Sequence, residues 1–92
     1  MNGKIVRHMR IVNEKGLHAR AAARLVEVAE GFDAEAEICH GGHSAGVDSI
    51  MGLLMLAASK GTTIELRASG PDAEALTDAV AVLIADRFGE DM

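Results

Sequence analysis

The chain has 92 residues, 49% of them hydrophobic, and a formal net charge of -5. That length fits one domain, the apolar content excludes intrinsic disorder, and the acidic balance argues against generic nucleic-acid binding. The single cysteine, Cys39, excludes an internal disulfide framework and fits a reducing compartment, while the longest apolar run, Ile50 to Ala58, is too short to cross a bilayer.

The opening stretch MNGKIVRHMRIV has charges inside its apolar residues and no small-residue cleavage site. It predicts no signal peptide and a soluble, cytoplasmic protein. Ile5 to Val12 reads as a strand, with Met9 and Ile11 inward and His8 and Arg10 outward. Asn13 to Gly16 is turn chemistry. The spacing then changes, and Ala22, Leu25, Val26 and Ala29 make one helical stripe between Ala19 and Gly31. Arg20, Ala23, Arg24 and Glu27 fall on the other side. Asp33 to Cys39 alternates again, Gly41-Gly42 signals a two-residue hairpin, and Ser44 to Val47 returns as its partner. Ser49 is placed to cap a short apolar helix over Ile50 to Ala58. Thr62 to Ala68 alternates Ile64, Leu66 and Ala68 with polar residues. Gly70-Pro71-Asp72 opens a last helix with a buried stripe of Leu76, Val80, Leu83 and Ile84. The order β-α-β-β-α-β-α predicts a two-layer α+β fold, an antiparallel sheet with its helices on one face.

His18 stands where the first turn gives way to a helix. The first N–H groups of a helix have no internal partner, and the helix dipole makes that end an anion site. An imidazole there, with the Arg20 guanidinium two residues on, has what is needed to take a phosphoryl group on nitrogen, hold it and pass it on. Lys15 and Arg24 make the neighbourhood locally positive. Taken alone, His-x-Arg also reads as an ordinary turn with solvated neighbours.

The full string decides between these. Gly16-Leu17-His18-Ala19-Arg20-Ala21-Ala22 resembles the signature of the HPr phosphocarriers of the bacterial phosphoenolpyruvate-dependent phosphotransferase system, including the nitrogen-related NPr branch. Ser44-Ala45-Gly46-Val47-Asp48-Ser49-Ile50-Met51-Gly52 resembles the family's second signature. The resemblance covers nearly the full chain and implies the family's open-faced β-sandwich, a four-stranded sheet covered by three helices. It implies that His18 is the phosphoryl acceptor, at a ring nitrogen left open, with Arg20 and the backbone amides of Ala19, Arg20 and Ala21 holding the phosphate. One departure is Ala21, where many members have proline. Proline suits a first helical turn, and alanine suits it too while keeping its N–H.

Ser49 reads from the sequence as a helix cap. The resemblance adds a regulatory role, phosphorylation by the HPr kinase/phosphorylase. The helix after it is apolar all round, with Ile50, Leu53 and Ala57 on one face and Met51, Leu54, Met55 and Ala58 on another. A second apolar face is either additional core or a partner surface, and methionines suit the latter. By resemblance, the docking residues are Leu17, Ala23, Arg24, Ile50, Met51, Leu54 and Met55, and the partners are Enzyme I and EIIA-type domains. Neither nucleic acid nor membrane is an expected partner, no cofactor or metal is implied, and a monomer is expected. Cys39-His40-Gly41-Gly42-His43 offers metal-ligand types, but no second cluster completes a site and adjacent strand residues face opposite ways. These read as turn residues. The alternative function is a regulatory docking module that signals through its phosphorylation state rather than driving sugar transport.

Overall fold

The computed structural model describes residues 4–92, and the first three residues of the stretch read for a signal peptide lie outside the described residues. The elements follow the predicted order. They are β1 (Ile5–Arg10), α1 (Ala19–Ala29), β2 (Glu35–His40), β3 (His43–Gly46), α2 (Ile50–Met55), β4 (Thr63–Ser69) and α3 (Ala73–Ala85), with a final 3₁₀ turn over Arg87–Gly89. The strands form one sheet in the order β1-β4-β2-β3, every neighbouring pair antiparallel.

Alternation in the strands produces two unlike faces. Met9, Ile38, Ala45, Ile64, Leu66 and Ala68 point to one side and join Ala21, Ala22, Leu25, Leu76, Val80 and Ile84 of the helices in a single apolar core. On the uncovered side, His8 pairs with Glu65 at 3.1 Å, Arg67 pairs with Glu65, and Arg67 reaches Glu37 at 3.8 Å. His8 faces Glu65 and Glu37 faces Arg67 across neighbouring strands, and Glu65 and Arg67 stand two residues apart on β4, so the charges run diagonally over three strands. Arg67 beside Glu65 holds that carboxyl below its usual range.

The hairpin forms as predicted. His40 and His43 are opposed, and Gly41 and Gly42 both have positive φ, the geometry a two-residue turn of this type requires. His40 Nδ1 lies 2.9 Å from Leu56 O, and no group of three potential metal ligands converges among the described residues.

Two segments depart from the sequence reading. The second helix ends at Met55 rather than Ala58, because Ala57 takes a left-handed φ of 51°. That turn buries Leu56 and Ala58 and leaves Ala57 exposed, and of the Ile50, Leu53, Ala57 face only Leu53 is buried. After α3 the chain turns sharply through Arg87, Phe88 and Gly89, all at positive φ. A left-handed non-glycine residue costs roughly 1–2 kcal/mol. Arg87 and Phe88 together therefore cost roughly 2–4 kcal/mol, and the complete burial of Phe88, worth about 1.5–3 kcal/mol, offsets most of that strain.

Candidate functional site

The loop before α1 is fixed from below. Gly16 sits at φ +63°, and a Cβ there would stand 2.5 Å from the Ala58 carbonyl oxygen, so the position requires glycine both for conformation and for space. Leu17 N–H donates to Ala58 O at 2.8 Å. The loop therefore lies flat on the turn that ends α2, and His18 emerges from it as the N-cap residue of α1 with an extended backbone.

At that N-terminus Ala22 N–H donates to His18 O at 2.8 Å, while the amides of Ala19, Arg20 and Ala21 have no acceptor among the described residues. The His18 side chain makes no capping hydrogen bond. Arg20 is exposed and forms no ion pair among the described residues. His18, the three open amides and Arg20 are thus chain neighbours at the start of α1. Ala21 is fully buried and leaves the helix start intact in place of the family's frequent proline.

His18 turns its ring toward Glu90, where Nε2 bonds a carboxylate oxygen. The other Glu90 oxygen accepts from Asn13 Nδ2 at 2.9 Å, and the same Nδ2 donates to Gly16 O at 2.8 Å. Asn13 is completely buried, and its Oδ1 has no partner among the described residues. Leaving such an atom unpaired costs roughly 1–3 kcal/mol, so Asn13 is held there by what its amide nitrogen does. Burial pushes the Glu90 carboxyl up, but the hydrogen bonds from Asn13 and His18 and the charges of His18 and Lys15 outweigh it and hold the carboxyl below its usual range.

Neither Asn13 nor Glu90 carries a signal in the sequence that points to His18. Asn13 carries a turn signal, and Glu90 lies 72 residues beyond His18 with no periodicity to place it. Leu17 needs correction. The resemblance places it on the docking surface, but it is only 5% exposed and belongs to the core, because the loop turns it inward. The other candidates are at the surface to different degrees. Ala23 and Arg24 are exposed on α1, Ile50, Met51 and Met55 are exposed on α2, which packs against α1, and Leu54 is half-buried. Ser49 caps α2, its Oγ accepting from Gly52 N–H at 3.0 Å. A cleft of about 450 Å³ opens elsewhere, between β2, the end of β3 and Arg67, and none of His18, Asn13 or Glu90 lines it.

No helix of the described residues is long and apolar enough to cross a membrane. Residues 5–86 match the family described as PTS HPr component phosphorylation site. The chain is 45% identical to the phosphocarrier protein HPr of Cupriavidus necator, over 87% of this chain and 90% of that one. It is also 45% identical to the phosphocarrier protein NPr of Shewanella violacea, over 95% and 96%. The crystal structure of HPr-C-His from Thermoanaerobacter tengcongensis superposes with a TM-score of 0.90 at 34% identity, covering 96% of this chain and 99% of that one. A match along nearly the whole chain, in sequence and in fold, means that this protein belongs to the HPr family of phosphocarriers of the phosphotransferase system.

Proposed function

We propose that the protein relays a phosphoryl group from phosphorylated Enzyme I to EIIA-type acceptor domains through phospho-His18. The observation that carries this is the start of α1, where His18 is the N-cap residue and, among the described residues, the next three amides have no acceptor and Arg20 forms no ion pair. A nitrogen lone pair of His18 attacks phosphorus in line as the donor's N–P bond breaks. The amides of Ala19, Arg20 and Ala21 and the Arg20 guanidinium then hold the phosphoryl oxygens. The bound group is transferred onward to a histidine of the acceptor. The protein is a covalent carrier and not a free-standing enzyme, acting in the cytoplasm as a monomer that shows one site to successive partners.

The surface beside His18 supports docking. Met51 and Met55 are 71% and 79% exposed, Ile50 adjoins them, and Ala23 and Arg24 continue the surface on α1, with Leu54 beneath. Flexible methionines accommodate more than one partner. Ser49 lies at the edge of this patch, and its phosphorylation by the HPr kinase/phosphorylase would place about -1.5 to -2 charges beside apolar residues and weaken docking. Treatment with that kinase should add one phosphate that Ser49→Ala cannot take.

The relay is tested by incubating the protein with phosphoenolpyruvate and an Enzyme I of the same organism, then measuring intact mass at alkaline pH. One acid-labile phosphate is expected on the wild type and none on His18→Ala. A folded wild type that takes no phosphate from a competent Enzyme I would sink the relay and leave the docking module as the function to pursue.

A further inference from the structure

The relay uses one nitrogen of His18, and the structure engages the other. Nε2 bonds Glu90, and Nδ1 makes no hydrogen bond among the described residues. Glu90 is anchored from two directions. Asn13, buried in the loop that carries His18, holds one carboxylate oxygen and the Gly16 carbonyl together. From the other end, Phe88 is locked in the core two residues earlier, and the left-handed run through Gly89 turns the chain back over α1. A Cβ at Gly89 would lie 3.3 Å from Arg24 Nη1, so the strap lies against the tip of this α1 side chain.

We infer that Glu90 is a positioning residue for His18: its carboxylate keeps the proton on Nε2, leaves the Nδ1 lone pair free to react, and balances the charge the ring gains on phosphorylation. The inference rests on His18 being the acceptor. An ionised carboxylate can only accept hydrogen bonds, so the nitrogen facing it must donate. Glu90 is held in that ionised form by Asn13, His18 and Lys15 despite its burial. In the transfer, the Nδ1 lone pair forms the new N–P bond while the donor's N–P bond breaks and its electron pair returns to the donor ring. No proton moves. The His18 ring becomes a phosphoimidazolium whose Nε2–H donates to Glu90, a charge-assisted bond stronger than the one it replaces. On transfer onward, the N–P bond breaks toward the ring, and the neutral Nε2–H tautomer returns ready for the next cycle.

The first arm of the test needs no variant. The ¹⁵N spectrum of the His18 ring in the intact protein should show a protonated Nε2 and an unprotonated Nδ1. A predominant Nδ1–H form would overturn the inference. The second arm compares phosphorylation rates of the wild type, Glu90→Gln and Glu90→Ala, each checked for an unchanged fold by its melting curve. Glu90→Gln keeps an acceptor without the charge and should slow the step on the order of 10-fold. Glu90→Ala should slow it at least as much and mix the two tautomers. Wild-type rates in both variants, with the wild type itself phosphorylated, would overturn the role of Glu90 alone. A wild type that takes no phosphate overturns the acceptor reading beneath it.

Discussion

At the start of α2, Ser49 turns its oxygen back on Gly52 N–H at 3.0 Å. At the start of α1, His18 makes no capping bond, and its Nε2 bonds Glu90 instead. Both positions are N-caps with extended backbones. The first is closed by its own side chain, which is how most helix ends are stabilised. The second is left open, and the side chain that could have closed it is held elsewhere by residues from the far end of the chain. A helix terminus becomes an anion site when its cap is withheld, and withholding it needs a second structure to occupy the capping side chain.

The largest way to break this contrast is at Gly16. In Gly16→Ala the new Cβ meets Ala58 O at 2.5 Å in a left-handed backbone, so the loop must lift off the α2 turn. We expect a loss of about 1–3 kcal/mol in stability from the strained backbone. Displacing His18 from the open amides should slow its phosphorylation on the order of 10- to 100-fold. Thermal melting and labelling by Enzyme I measure the two effects separately, and a full labelling rate in the variant would show that loop position does not matter.

Ser49→Ala acts on the closed terminus. Loss of one cap should cost about 1 kcal/mol, which for a domain of this size lowers the melting temperature by roughly 4–8 °C. Labelling of His18 should stay at the wild-type rate, because α1 keeps its geometry. A slowed His18 reaction would mean that the two termini are coupled and that the contrast drawn between them is too sharp.

The sequence shows much of this arrangement where neighbours along the chain share a face. The stripe Ala22, Leu25, Val26, Ala29 identifies α1, the alternation Ile64, Leu66, Ala68 identifies β4, and Gly41-Gly42 identifies the hairpin. His18 is legible because a turn, a histidine and a helical pattern follow one another directly. Leu17 is misread because a one-residue step along a loop can reverse the side chain's direction, and no period applies there. The α2 boundary fails for a related reason: Leu56, Ala57 and Ala58 are all good helix residues, and tertiary contact with the Gly16 loop turns them away from the helix. Glu90 is the extreme case. Its partners are 72 and 77 residues away, and its position depends on two non-glycine residues in a left-handed conformation that no propensity would assign.

Ala21 offers the finest adjustment of the open terminus. It is the third residue of α1, and its N–H is one of the three without an acceptor among the described residues. Ala21→Pro removes that donor while fixing φ near a helical value, so the two consequences oppose each other. Proline narrows the unfolded ensemble, which favours folding by about 0.4–1 kcal/mol, but it also disfavours the helical backbone of Arg20 before it. The melting temperature should therefore move by only a few degrees in either direction, roughly within the 4–8 °C that 1 kcal/mol represents. The phosphorylated form is the more sensitive readout. If the Ala21 amide holds a phosphoryl oxygen, its removal should shorten the lifetime of phospho-His18 by a few-fold, about the worth of one hydrogen bond to a charged group shared among several. An unchanged lifetime would assign the phosphate to Ala19, Arg20 and the guanidinium alone, and would explain physically why either residue can stand at this position.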